Sequence, residues 1–487
     1  VTGNESKFPV VQTRGPNRPY IRRGPRRQEI IALPPLPPPP KPPTSSRHAK
    51  LFALSLLGLV LLGTLLLATP WTTESGDATP PVDALFIAVS AATVTGLVTV
   101  DTQDHWNFLG ESIVLLLIQV GGLGFMVGAS LVLQALRGSQ VRLKDVMLLQ
   151  LGEPTASLTE AERLAGRIVR FVLGVEAVGA IVLTLAYWRT MPLPEAAWHG
   201  IFHAVSAFCN AGFDLQGEFR SLTGFDTAPV VNGTVMLLIQ AGALSYIVFA
   251  DVSVRRRWSH LSLDTKLVIT GNAVLLGVGT AVFMATEWNR TLSDTPLAAR
   301  PMVSLFQSVA SRTAGFATVN FADVHTVVLF AWVGLMFVGG ASGSTAGGVK
   351  ISTVMVIVAG FVSSLRGSVE PEAFGRRLPV PVMFRALTVI VLMLIIHFTA
   401  TMALAASGDF FGHTDHSFIA IMFEAMSALA TVGLSTGITP ELDALSKLIL
   451  CITMFVGRLG PLTAVYALQR RQQKLRYRLP QAPIRLG

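Results

Sequence analysis

The chain has 487 residues, 51% of them hydrophobic and 14% charged, with a formal net charge of +9. Soluble domains carry about 25% charged residues, so this composition excludes an ordinary soluble domain and points to a bilayer. The two cysteines, Cys209 and Cys451, stand in apolar surroundings, which argues against a disulfide framework or a thiolate metal site.

The positive charge is clustered. It lies near the start (Arg22, Arg23, Arg26, Arg27, Lys41, Arg47, Lys50), in 137–170, at Arg255 to Arg257, from Arg366 to Arg377 and in the tail from Arg470. The intervening connections carry acids, among them Asp101, Asp104, Asp214, Glu218, Asp323, Asp409 and Glu441. By the positive-inside rule the basic segments are cytoplasmic, which puts both termini inside with an even number of spans. The basic excess is therefore read as a topology signal and not as a nucleic-acid footprint.

In chain order, residues 1–50 form a Pro/Arg-rich extension with Pro37 to Pro40 at its centre. Such a segment packs no core and is expected to be a disordered or polyproline-II cytoplasmic tail; docking to an SH3-like partner is the alternative. The first residue is Val and not Met, which leaves the natural start open. A first unit, 51–136, opens with the apolar run Leu51 to Ala68, continues with Pro81 to Ala92 and closes with a span from about Trp106 to Leu136. Twelve helical residues reach only about 18 Å, so Pro81 to Ala92 must re-enter from the side it came from.

The same order recurs. Unit two, 165–254, has Ile168 to Ala186, Ala196 to Phe208 and about Ala228 to Val254; unit three, 264–366, has Leu267 to Met284 and Pro296 to Ser311; unit four, 380–470, has Val380 to Ala406, Ser417 to Leu429 and Ser446 to Leu468. Residues 471–487 are a basic cytoplasmic tail. The predicted fold is all-α and integral to the membrane: four helix, pore-loop, helix units, eight transmembrane helices, around one pseudo-fourfold pore.

Each short helix runs into a related stretch: Thr93-Val94-Thr95-Gly96, Cys209-Asn210-Ala211-Gly212, Arg312-Thr313-Ala314-Gly315 and Ala430-Thr431-Val432-Gly433. An Ala stands five residues before each glycine and Leu or Phe follows it. A permeating cation exchanges its hydration shell for oxygens, and backbone carbonyls turned inward at glycine-containing turns supply them. The C-terminal ends of the short helices, aimed at a central cavity, add partial negative charge.

Only the third unit's second helix is expected to break. The 39 residues from Val327 to Leu365 would make a helix of about 58 Å, nearly twice the hydrocarbon thickness. In their middle lie Gly339, Gly340, Ala341, Ser342, Gly343, Ser344, Thr345, Ala346, Gly347 and Gly348. Each glycine costs a helix interior about 1 kcal/mol relative to alanine, and non-helical backbone at membrane depth is tolerated only against protein or a water-filled cavity.

Thr93 to Asp101, Phe208 to Asp214, Ser311 to Phe316 and Ala430 to Ser435 resemble the four filter loops of the Trk/Ktr/HKT superfamily of potassium transporters, most nearly the bacterial Ktr and Trk membrane subunits. The resemblance runs from about Leu51 to Leu468. It implies that the four four-residue stretches line a selectivity filter binding K⁺, with Na⁺ as an alternative permeant ion, and that glycine in all four loops favours K⁺. It further implies that 339–350, ending in Lys350, is an intramembrane gate, with Arg458 beside it as an electrostatic barrier. A homodimer in the lipid bilayer of a bacterial plasma membrane is implied too, under a separate cytoplasmic Rossmann-type ring binding adenine nucleotides. A helix kink is the other reading of the glycine run, a snorkelling lysine that of Lys350, and a structural ion pair that of Arg458.

Arg312 and Glu424 are expected to be buried and to pair with one another. Glu111, Glu176 and His397 are scattered singly, and His199 and His203 have the i, i+4 spacing of metal ligands without a following Glu, so all five read as structural. No nucleotide-binding motif, nucleophile and base, or metal set is found, so the chain is read as a transporter and not an enzyme, binding no nucleotide and no nucleic acid itself. Gated K⁺ uptake leads; a Na⁺-permeable or K⁺/Na⁺ co-translocating protein and a proton-coupled carrier are the alternatives.

Overall fold

The computed structural model describes residues 45–138, 156–368, 370–411 and 416–470. The tail 471–487, most of the extension 1–50 and part of the basic stretch 137–170 lie outside them. The molecule is helical apart from a small hairpin, β1 (Glu372–Ala373) with β2 (Arg376–Arg377).

Helices α1 (Ser45–Leu67), α2 (Pro81–Thr93) and α3 (Phe108–Gly138) come first; α4 (Ala156–Tyr187), α5 (Leu193–Cys209), α6 (Pro229–Leu244) and α7 (Tyr246–Arg255) follow. Next are α8 (Leu263–Glu287), α9 (Arg300–Ala310), α10 (Thr326–Phe337) and α11 (Ile351–Leu365), then α12 (Val380–Phe411), α13 (Phe418–Ala430) and α14 (Ala444–Arg470). Proline at the first or second position starts α2, α5, α6 and α9, where its missing N–H costs nothing. The Ser417 and Ser262 hydroxyls cap α13 and α8.

Burial is inverted with respect to helix length. The short helices α2, α5, α9 and α13 are the interior: their last residues, from Ser90 to Thr93 and from Ser427 to Ala430, are almost fully covered. The long helices present bare apolar faces, as at Leu54, Leu61 and Leu65 on α1, Leu173, Val178 and Ile181 on α4, and Leu394, Ile395 and Phe398 on α12. Unpartnered faces of that kind match hydrocarbon and not water. Among the described residues, four helices are long and apolar enough to cross a membrane, within α3, α4, α8 and α12, and the bent pair α6 and α7 would add a fifth.

That pair corrects the expectation of a single broken helix. α6 and α7 meet at 90°, with Ser245 between them at φ 72° and ψ 141°. The carbonyls of Gly242 and Ala243, near the end of α6, accept the N–H groups of Thr345 and Ala341 instead, at 3.2 and 2.8 Å. Two breaks thus answer each other: the loop 338–350 between α10 and α11 is hydrogen-bonded into the break in the second unit.

Candidate functional site

Each short helix ends in the same way. Val94, Asn210 and Thr431 are left-handed, at φ 57°, 60° and 49°, and close α2, α5 and α13 by donating their N–H groups to Ala91, Ala207 and Ala428. Thr313 is also left-handed, at φ 67°. Left-handed backbone costs a residue other than glycine of order 1 kcal/mol or more, so four such residues two before the four glycines need strong local bonding. Part of it comes from a serine six positions before the glycine, which the sequence reading passed over. The Ser90 and Ser427 hydroxyls accept the N–H of Gly96 (3.0 Å) and Gly433 (3.1 Å), and the Ser206 hydroxyl donates to the Phe213 carbonyl (2.7 Å). The third turn has Val309 there, and Gly315 N–H turns to the Ala310 carbonyl.

The four glycines have φ between 74° and 94°, and each faces the next turn. A Cβ on Gly96 would lie 2.1 Å from the Ala211 carbonyl oxygen, on Gly212 2.8 Å from that of Ala314, on Gly315 2.6 Å from that of Val432, and on Gly433 2.2 Å from that of Thr95. The order is cyclic. Three of the second helices carry a further glycine against a short helix's end: a Cβ on Gly121, Gly242 or Gly457 would meet the carbonyl of Ala92, Phe208 or Leu429 at 2.1 Å or less.

On the side reached by the residues after the glycines lies a cavity of about 550 Å³, lined by all four glycines and by Asp101, Asp214, Glu218 and Glu441, with Arg220 at its edge. Arg220 is paired with Glu218, so the balance there is acidic. Burial pushes the Asp214 carboxyl up to about 7; the Gln216 N–H opposes the shift and the charge of Asp101 adds to it.

The loop of small residues lies on the opposite side, under the residues before the glycines. The Thr345 hydroxyl donates to the Phe208 carbonyl and the Asn210 side chain, both at 3.1 Å. A Cβ on Gly347 would strike Thr431 and the Ala430 carbonyl, 2.4 Å from the latter. Val338 and Val349 bridge in parallel and close the loop's neck. Arg458, 2% exposed, donates to the Thr345 carbonyl at 2.6 Å, and its guanidinium stacks on Phe125 at 4.3 Å. It makes no ion pair among the described residues. Lys350 Nζ turns back to the Ala346 carbonyl at 2.5 Å instead of snorkelling outward. Ser342 reaches Ser352 and Ser344 reaches the Ala341 carbonyl within the loop.

The expected Arg312 and Glu424 pair does not form. Arg312 donates to Asn272 on α8 and, at 2.9 Å, to the Gly339 carbonyl, while Asn272 donates to Gln240 on α6 at 2.8 Å. Glu424 instead accepts from Ser435, Thr436 and Thr439. The arginine side chain leaves toward the small-residue loop and the glutamate toward the acidic cavity, so the two are on opposite sides of the turns. Gln240 and Asn272 were readable as polar residues inside apolar spans. Glu111 accepts from the Trp198 indole and Glu176 from Gln119. His199 and His203 lie in the core of α5, and no group of three potential metal ligands occurs among the described residues.

The sequence profile of the family described as TrkH, Cation transport protein, matches residues 60–475. The chain is 34% identical over 441 residues to the potassium/sodium uptake protein NtpJ of Enterococcus hirae, covering 90% of this chain and 97% of that one. It is 35% identical over 426 residues to the Ktr system potassium uptake protein B of Bacillus subtilis, covering 86% and 92%. Among solved structures, that of the potassium transporter TrkH from Vibrio parahaemolyticus superposes with a TM-score of 0.68 over 88% of this chain and 86% of that one, at 18% identity, which shows a shared fold.

Proposed function

This chain belongs to the TrkH family of cation transport proteins, whose curated relatives are potassium and potassium/sodium uptake proteins, and from that premise we propose that it takes up K⁺ through a filter built from its four glycine turns. The observation that carries the reading is the cyclic order of glycine against carbonyl, from Gly96 through Gly212 and Gly315 to Gly433 and back to Thr95. Eight spans in four units then surround one pseudo-fourfold axis, and Thr93 to Gly96, Cys209 to Gly212, Arg312 to Gly315 and Ala430 to Gly433 turn carbonyls to the ion. Left-handed caps fix where those carbonyls point. The acidic cavity is the outer vestibule, which concentrates cations.

The loop 339–350 is the gate. It occupies the path directly beneath the turns, held there by Thr345, Lys350 and Arg458, and the unpaired guanidinium adds a barrier to cations. The weak points are visible: glycines at five of ten positions and a few hydrogen bonds of about 1 kcal/mol each. Both termini are cytoplasmic, the chain is a homodimer in a bacterial plasma membrane, and a cytoplasmic nucleotide-binding ring acts on the gate. The Ktr system names of the relatives support a partner; copurification of such a ring protein with this chain tests it.

A Na⁺-permeable version is favoured by one observation, the name of the Enterococcus relative, which couples both ions. Uptake of K⁺ in a strain without its own transporters tests the proposal. Gly96→Ser places a Cβ against the Ala211 carbonyl and is expected to abolish the preference for K⁺ over Na⁺. Removal of 341–346 is expected to raise flux severalfold and uncouple it from the ring. Equal permeability of wild type to both ions would favour the Na⁺ reading, and no effect of either variant would overturn filter and gate.

A further inference from the structure

Beyond the turns, each chain continues into an extended strand lining the vestibule, and three of the four strands are held by a different side chain of the short helix behind them. In the fourth unit the holder is Glu424, nine positions before Gly433 and 1% exposed. Its Oε1 accepts the Ser435 hydroxyl at 2.6 Å and the Thr436 N–H at 2.9 Å; its Oε2 accepts the Thr439 hydroxyl at 2.9 Å. In the second unit the same position is His203, fully buried, whose Nδ1 faces the His199 carbonyl at 2.7 Å. That bond puts the proton on Nδ1 and leaves Nε2 to accept the Leu215 N–H, at 3.4 Å. In the third unit Gln307, one position later, donates to the Thr318 hydroxyl at 2.7 Å. In the first unit the position is Ile87, and the Thr99 hydroxyl, three after Gly96 like Thr318 after Gly315, is buried with no partner among the described residues.

The four strands are thus held by a carboxyl, an amide, an imidazole and nothing. Bonds to an acidic side chain with several donors are the strong ones, so the fourth strand is fixed hardest and the first is free. Gly433 packs against the Thr95 carbonyl and Gly315 against the Val432 carbonyl, so the fourth strand also positions the turns on either side of it, including the unheld first. We infer that Glu424 is a positioning residue for ion selectivity, setting the carbonyls of the fourth turn and, through contact, those of the first and third. The inference rests on the filter reading above. A filter discriminates K⁺ from Na⁺ through where and how stiffly its carbonyls stand, so loosening this strand should cost selectivity before it costs flux.

The test is the reversal potential under a K⁺/Na⁺ gradient, with flux per protein, for the full chain in proteoliposomes. Glu424→Ala is expected to lower the K⁺ over Na⁺ permeability ratio about tenfold while flux stays within about threefold; Glu424→Gln, which keeps an acceptor for Thr436, should recover most of the ratio. Ser435→Ala combined with Thr439→Val removes bonds from the strand side and should lower the ratio about threefold, and it decides the matter should Glu424→Ala not assemble. Gly433→Ser is the control for the filter itself. Loss of the ratio in Gly433→Ser with a wild-type ratio in Glu424→Ala, or in the double variant, overturns the role of Glu424 and leaves the filter standing. A wild-type ratio in Gly433→Ser as well overturns the filter reading and this inference with it.

Discussion

At the scale of single residues, charge at the vestibule is the property most open to measurement. Asp214 follows Phe213 directly after the second turn, lines the vestibule, and has its carboxyl raised to about 7 by burial, with Asp101 adding and the Gln216 N–H opposing. A raised carboxyl is neutral below that value and charged above it, so the attraction it exerts on cations grows with external pH. Between pH 6 and 8 its ionised fraction goes from roughly a tenth to roughly nine-tenths. A unit charge roughly 5 Å from a passing cation in watery surroundings is worth on the order of 1 kcal/mol, about fivefold. K⁺ uptake at low external K⁺ should therefore rise severalfold across that range, and Asp214→Asn should hold it near the low-pH level throughout. Uptake assays at fixed internal pH check this; an equally steep profile in Asp214→Asn would assign the titration to another group.

At the scale of elements, what was legible depended on whether a feature repeats. The four glycines, the alanine five before each and the apolar residue after each could be aligned against one another within the chain, and they mark the turns correctly. The serine at position minus six repeats only three times, which hid it. The break at Ser245 had no signal of its own: Ser is an ordinary residue in a membrane helix, and α6 and α7 together have the composition of a span. The bend exists because the Gly242 and Ala243 carbonyls are claimed by a loop about a hundred residues downstream, a cause no local pattern carries. Arg312 and Glu424 show the same limit, since composition says that a buried charge needs partners but not whether those are charges or carbonyls and hydroxyls. At Ser245, φ 72° with ψ 141° is a region that side chains avoid; its hydroxyl offsets this only by accepting the Ile247 N–H at 3.3 Å. Ser245→Gly should relieve about 1 kcal/mol of strain and raise the melting temperature of the purified protein by a degree or two, while Ser245→Val should lower it.

At the scale of the whole molecule, four units in one chain close a ring only if the last meets the first, and nothing covalent enforces that. The structure makes the closure in three layers. Gly433 meets the Thr95 carbonyl at the turns. Leu56, Val60 and Phe86 from the first unit share a buried apolar cluster with Leu450, Cys451 and Met454 from the last. Lys447 on α14 donates to Asp83 at the start of α2 at 2.8 Å, both side chains less than one-fifth exposed. The lysine thereby also sits beside an acid at the positive end of a short helix, where a carboxylate is favoured. Removing one member of a mostly buried pair leaves the other charge without compensation and costs about 3 kcal/mol, whereas removing both charges costs much less. Lys447→Met should therefore lower the melting temperature in detergent by several degrees, and Lys447→Met with Asp83→Asn should recover most of the loss. Because the pair lies at the seam between first and last units, the single variant should also weaken K⁺ preference, by letting the Gly433 and Gly96 turns separate. If Lys447→Met melts and selects like wild type, the apolar cluster alone closes the ring.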